Sequence, residues 1–256
     1  MARVFITGSA DGLGLIAGRL LAESGHSVTL HARHGQRAED AKRALPASEA
    51  VLVGDLASMR ETRELARQVN ERGPYDAVIH NAGVGYQEPR IETPDGLEHI
   101  FAINVMAPYL LTALIAGPKR LIYLSSGMHR GGNPDHLEDA QWKTRRWSSA
   151  QAYSDSKFYD AVLAFAVARL RPHVFSNAVE PGWVPTKMGG RSAPDDLHLG
   201  AATQVWLATS DDAAANVSGE YFYHQQTHSV HPAVRSEDVQ NALLRYCAEL
   251  SGTPLE

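Results

Sequence analysis

An apolar run, Val4-Phe5-Ile6, ends at Thr7 and passes directly into a turn with glycines at 8, 12 and 14. This junction constrains the fold more than any other stretch of the chain. Glycine lets the backbone turn sharply after a strand, and it leaves no Cβ where a phosphate must approach the amide hydrogens of the next helix. The helix follows at once: Leu15 to Ala22 carries apolar residues at 15, 16, 20 and 21 and stops at Gly25. Ser27-Val28-Thr29-Leu30-His31 then supplies a second strand, completing a strand–turn–helix–strand unit. The glycine spacing departs from the G-x-G-x-x-G dinucleotide fingerprint, so on spacing alone a turn without a ligand is the competing reading.

The alternation continues along the chain. Apolar strand-like runs fall at 3–6, 27–31, 50–53, 75–80, 119–124, 173–179 and 219–224. Helical patterns cover 58–71, 97–115, 152–170 and 236–250, with breaks at Gly73-Pro74, Gly117-Pro118 and Pro172. Such a pattern predicts an α/β, Rossmann-type doubly wound fold, with a seven-stranded parallel sheet and helices on both faces. With 256 residues, 44% of them hydrophobic, the chain can bury a sizeable core, and residues 1–256 are expected to form one domain. In these sheets ligands bind beyond the carboxyl ends of the strands, where the glycine turn, Asp55, Asn81, Ser126 and Pro181 all fall.

Charge and composition exclude several partners. The formal net charge is −5 and the arginines are scattered, so the chain has no basic track for nucleic acid. Cys247 is the only cysteine, which rules out an internal disulfide and fits reducing surroundings. The histidines lack the tight spacings of a metal site, and none is expected. No basic-then-apolar leader precedes Arg3, and the longest apolar stretch, Ala161 to Ala168, is too short to cross a bilayer. The expected location is cytoplasmic.

The chemistry-bearing pair is Tyr153 and Lys157 in the run AYSDSK, downstream of Ser125-Ser126. Residues four apart on a helix share a face, so phenol and ammonium project into the same space. A neighbouring cation favours phenolate and pulls a tyrosine down from about 10 toward neutrality, a range suited to general acid/base catalysis. Alone, the spacing more often describes a surface packing contact. On spacing grounds either serine could serve beside the tyrosine, and since neighbours on a strand face opposite sides only one can point at a substrate.

Taken together, Thr7, Gly8, Gly12 and Gly14 with Tyr153 and Lys157 resemble the short-chain dehydrogenase/reductase family, which opens on Thr-Gly-x-x-x-Gly-x-Gly and carries Tyr-x-x-x-Lys in its active site. Further matches are Asp55-Leu56, Asn81-Ala82-Gly83, Asn104, Ser126, Pro181-Gly182 and Thr186, spanning residues 3 to about 224. The resemblance implies a nicotinamide dinucleotide and a small carbonyl or alcohol substrate. It assigns catalysis to Ser126, Tyr153, Lys157 and Asn104. Cofactor contact falls to Thr7, Gly8, Asp11, Gly12, Leu13, Gly14, Arg33, Asp55, Leu56, Asn81, Ala82, Gly83, Pro181, Gly182, Val184 and Thr186, with Tyr153 and Lys157. Asp55 also reads as a helix cap, and Asn104 as a structural hydrogen bond. Helices 97–115 and 152–170 pair subunits in many relatives, so a homodimer or homotetramer through them is the oligomer the resemblance suggests.

The end of the second strand reads His31-Ala32-Arg33-His34, with no acid until Glu39. An arginine there attracts the extra phosphate of NADP, so NADP(H) is preferred over NAD(H), with His34 and Arg37 as helpers. Asp11 argues the other way, since it occupies a position that resembles the basic residue of many NADP-preferring relatives. The chain also departs from the family by an insertion at about 127–151, similar to retinol-dehydrogenase-like members. Its Trp142 and Trp147 either wall an apolar substrate or pack the insertion down, and His129 reads by default as a surface-loop histidine near Ser126. Residues 187–199 read as a substrate lid. Competing functions are an epimerase or dehydratase on the same plan, and a dinucleotide-sensing protein without turnover.

Overall fold

A computed structural model describes residues 1–255. Its sheet runs through β1 (Arg3–Ile6), β2 (Ser27–Ala32), β3 (Ala50–Val53), β4 (Ala77–His80), β5 (Arg120–Leu124), β6 (Phe175–Glu180) and β7 (Tyr221–Tyr223), all parallel, in the order β3-β2-β1-β4-β5-β6-β7. The seven expected strands are present. An eighth, β8 (Gln226–Thr227), pairs antiparallel with β7 and was not foreseen, because two exposed residues carry no alternating pattern. The helices are α1 (Gly12–Glu23), α2 (Gly35–Ala44), α3 (Met59–Arg72), α4 (His99–Phe101), α5 (Ala107–Leu114), α6 (Ser149–Leu170), α7 (Leu197–Thr209) and α8 (Glu237–Ser251).

Period-two patterning in the strands sorts residues to the two faces. Phe5, Val78, Leu121 and Tyr123 join a core with α3, α5, α6 and α8, whereas Val4, Ile6, Val28, Leu30, Ile79 and Ile122 join another with α1, α2 and α7. On α1 the buried positions are Gly14, Ala17, Gly18 and Leu21, one stripe at helical spacing. Both faces are thus covered and the winding is double. The order of strands reverses between β1 and β4, so the crevice for a ligand opens beyond their carboxyl ends.

The expected helix 97–115 is not continuous. Glu98 caps α4 by accepting from the amides of Ile100 and Phe101, and Ala102–Met106 then form a π-helical turn before α5. That turn holds Asn104; π-turns of this kind recur at functional sites. Every residue of α6 from Ala152 to Val167 is buried within the single chain, under α8 and the 3₁₀ turn Pro232–Arg235.

The insertion is docked, not dangling. Asp155 on α6 accepts from the amide of Asn133 at 3.0 Å and pairs with His136 Nδ1 at 2.8 Å. Trp142 and Trp147 meet edge to face at 5.2 Å and pack on Ile100 and Ala152, with the Arg145 guanidinium 3.9 Å over Trp142. His129 is fully buried rather than exposed: its Nδ1 donates to Ser126 O at 2.7 Å, its Nε2 accepts from His231 N, and its ring lies on Tyr221. Helix α7 starts at Leu197, inside the expected 187–199 lid, so the irregular part of that segment ends at Asp196.

Gly132 is the closest contact in this docking, since a Cβ there would lie 2.3 Å from Phe158 Cβ on α6. Gly132→Ala is expected to cost about 1–3 kcal/mol through overpacking. Urea unfolding measures it, and an unchanged midpoint would show that the insertion is not tightly seated.

Candidate active site

The turns after β1 and β4 are joined by hydrogen bonds. Thr7 Oγ1 accepts from Ala82 N at 3.0 Å, and Asn81 Nδ2 donates to the carbonyls of Thr7 and Gly8, both at 3.0 Å. Gly8 has φ +60°, and a Cβ on it would sit 2.7 Å from Ala82 Cα; one on Gly14 would sit 2.5 Å from Asn81 Nδ2. Gly12, at φ +54°, faces open space. It begins α1, whose first amides receive no side-chain cap because the Asp11 carboxylate turns instead to Arg37 Nη2 (2.7 Å) and Lys187 Nζ (2.6 Å). Open space in front of uncapped helix amides fits the pyrophosphate of a dinucleotide.

Beneath this turn lies His31, a residue the sequence pattern marked only as strand. Its Nδ1 accepts from Gly8 N at 2.9 Å and its Nε2 donates to Gly54 O at 2.9 Å, which requires the neutral ring. Burial lowers its pKa to about 4. Arg33, just beyond, is exposed and makes no ion pair among the described residues. Asp55 does not cap α3: it closes a turn by accepting from Ala57 N at 3.0 Å, and Ser58 is the cap. Leu56 beside it is buried.

Tyr153 and Lys157 lie on one face of α6, both buried, with Nζ 5.9 Å from the phenol ring centroid. Ser126, just past the end of β5, accepts from Met128 N at 3.2 Å and is near enough to the phenol to work to lower its pKa. Ser125 does not compete, since its Oγ donates to Lys157 O at 2.7 Å and ties α6 to the sheet. Lys157 Nζ donates to Leu124 O at 2.7 Å and to Asp160 Oδ2 at 2.8 Å. Asn104 bridges this cluster to the β4 turn: Oδ1 accepts from Val84 N, and Nδ2 donates to Val84 O and to Ser156 Oγ. Gly83 is close by, its absent Cβ leaving 3.4 Å to both Asn104 Oδ1 and Lys157 Nζ.

The electrostatics differ from the sequence expectation of a phenol near neutrality. Burial holds Tyr153 above its ordinary value, outweighing the lowering by Lys157 and Ser126. Burial also works to lower Lys157, but the Asp160 carboxylate beside it prevails and the ammonium sits above its usual range. Asp160 itself is pushed up to about 6 by burial, against the pull of Lys157. Neither Asp160 nor Tyr86, whose ring meets Tyr153 edge-on at 5.6 Å, was picked out from the sequence. Asp160 was legible as a carboxylate three residues on from Lys157, on the same helical face.

The segment after β6 crosses back over the crevice. Gly182, at φ +83°, leaves room for Asp195 Oδ2, and Val184 is buried against Gly200, next to Leu13 and the Pro181 carbonyl. Thr186 Oγ1 accepts from Gly189 N at 3.1 Å, Lys187 reaches Asp11, and Met188 rests on Gly85. The Thr186 hydroxyl is therefore engaged within its own loop.

The short chain dehydrogenase profile matches residues 2–122. An uncharacterized oxidoreductase of Emericella nidulans is 42% identical over 98% of both chains. This chain belongs to the short-chain dehydrogenase/reductase family. It is an oxidoreductase by that membership, and its relatives include retinol dehydrogenase 13 of Mus musculus, 30% identical over 97% of this chain and 83% of the mouse protein. A crystal structure of a putative uncharacterized protein from Mycobacterium Paratuberculosis covers 100% of this dehydrogenase and 95% of its own chain, with a TM-score of 0.86 and 25% identity. Among the described residues no helix of this dehydrogenase is long and apolar enough to cross a membrane, and no group of three or more His, Cys, Asp or Glu is placed to hold a metal.

His31 couples the cradle to pH. Its folded pKa is below the unfolded value of about 6.5, so the unfolded chain binds the proton first and stability falls as pH drops from about 6.5 to 4, by roughly 3 kcal/mol for this one group. His31→Leu should lose stability less steeply over that window in urea titrations at each pH. Equal slopes for the two proteins would remove His31 from the acid response.

Proposed function

We propose that the protein is an NADP(H)-dependent carbonyl reductase or alcohol dehydrogenase with Tyr153 as its general acid/base. The observation that carries this reading is the convergence of Tyr153, Ser126 and Lys157 beside a glycine turn whose helix amides are uncapped. When bound, the nicotinamide supplies a hydride to a carbonyl carbon or takes one from an alcohol. The rest falls to the chain. Tyr153 O–H gives its proton to the carbonyl oxygen in reduction, and the phenolate takes it back in oxidation. Ser126 hydrogen-bonds the same oxygen as charge develops, and Lys157 supplies the cation that balances phenolate. Asn104 ties the β4 turn to α6 at Ser156, one residue before Lys157.

The cradle of Gly8, Gly12 and Gly14 with Thr7, Asp11 and Leu13 would hold the pyrophosphate, Asp55 and Leu56 the adenine, and Asn81, Ala82 and Gly83 a ribose. Pro181, Gly182, Val184 and Thr186 would flank the nicotinamide, with 187–196 as the lid. Arg33 supports NADP(H), because it is exposed and uncommitted at the end of β2, whereas Arg37 is engaged by Asp11.

Tyr153→Phe should lower turnover on a carbonyl panel by at least about 10²-fold while NADPH affinity, read by fluorescence titration, stays within a few-fold. Retained turnover removes the phenol from the mechanism. Arg33→Asp should shift the ratio of NADPH to NADH efficiency toward NADH by about tenfold or more, one lost charge-assisted phosphate contact. An unmoved ratio in steady-state assays would reject the NADP preference.

A further inference from the structure

Asp160 lies on α6 three residues beyond Lys157, and no step described above uses it. Its side chain is only 4% exposed, amid a helix otherwise filled by Phe158, Ala161, Val162 and Leu163. A buried ion pair adds little net stability over an apolar pair of similar size, so the effect of this carboxylate beyond partnering a buried ammonium is electrostatic. What the pair changes is the field at Tyr153. Lys157 Nζ, 5.9 Å from the phenol ring centroid, is the cation that would favour phenolate, and a carboxylate oxygen 2.8 Å from that nitrogen offsets part of its charge.

We propose that Asp160 is a positioning residue that sets the acidity of Tyr153 through Lys157. It takes one N–H of the ammonium while Leu124 O takes another, so the nitrogen is held in place and its charge is partly cancelled. The inference rests on the reading of Tyr153 as the general acid/base. Other groups that face the cluster are Tyr86 from the loop after β4, Ser126 from the end of β5, and Tyr123 on β5. Tyr123 feels the Asp160 charge, has Arg171 near it and stacks on His80, which burial keeps neutral. Burial is the main cause that raises the Tyr153 pKa, and the Asp160 charge acts in the same direction.

Phenolate absorbance in the near ultraviolet tests this without substrate or cofactor. Subtracting the titration of Tyr153→Phe from that of the wild type isolates Tyr153; subtracting Tyr153→Phe/Asp160→Asn from Asp160→Asn isolates it without the carboxylate. The midpoint should fall by about one pH unit or more in Asp160→Asn, because the ammonium is no longer opposed. Asp160→Ser serves if the asparagine variant fails to unfold cooperatively. An unmoved midpoint in a folded variant overturns the proposal, as does loss of folding in both, which would assign Asp160 to folding alone. The general acid reading fails separately: Tyr153→Phe would then keep its turnover whatever the midpoints do.

Discussion

An ammonium buried to the depth of Lys157 needs acceptors, and much of the architecture near the crevice supplies or shapes them. Leu124 offers its carbonyl because β5 ends there; Asp160 offers its carboxylate because α6 repeats every 3.6 residues. Ser125 pins the helix to the strand by bonding the carbonyl of the same lysine. Gly83 lies beside the nitrogen, where a Cβ would reach 3.4 Å from it. Removing either the Leu124 or the Asp160 acceptor would leave the buried ammonium with one partner fewer, a costly change in a low-dielectric interior.

The cradle follows from a second constraint, the meeting of β1 and β4 where the strand order reverses. Two turns that emerge side by side must share hydrogen bonds or lose them to burial. Thr7 and Asn81 supply that exchange, and His31 braces the underside from β2. Side chains that a motif comparison assigns to the cofactor are thus in large part committed to the protein. At this turn the groups without a side-chain partner are backbone: the amides at the start of α1, beside the open side of Gly12.

The seven parallel strands and the crevice were legible because they rest on patterns longer than any one side chain: apolar alternation, glycine breaks and the order of motifs. The Tyr153–Lys157 pair was legible from helical period, and Ser126 from its resemblance to the family pattern. Other features were not legible, for identifiable reasons. The π-turn at Asn104 inserts no breaker residue, so 97–115 reads as one helix. His129 sits in a polar-looking loop and is buried by residues far along the chain, Tyr221 and His231 among them. The acidity of Tyr153 was misjudged because spacing reveals the neighbouring cation but not the depth of burial, which here outweighs it. Asp160 was in view but carried no motif.

The cations around the glycine turn are shared unevenly. Asp11 looks like an obstacle to a second phosphate, yet its carboxylate binds Arg37 and Lys187, and those two charges lower its pKa against the opposing effect of burial. A carboxylate so paired repels an anion weakly, and at physiological ionic strength the residue of its field is screened within about 8 Å. Its more direct effect is to occupy two cations that would otherwise compete for phosphate. Arg33 is left as the exposed guanidinium beyond β2 without an ion pair among the described residues. Lys187 belongs to the crossing segment, so the bond that keeps it from phosphate also tethers that segment to the glycine turn.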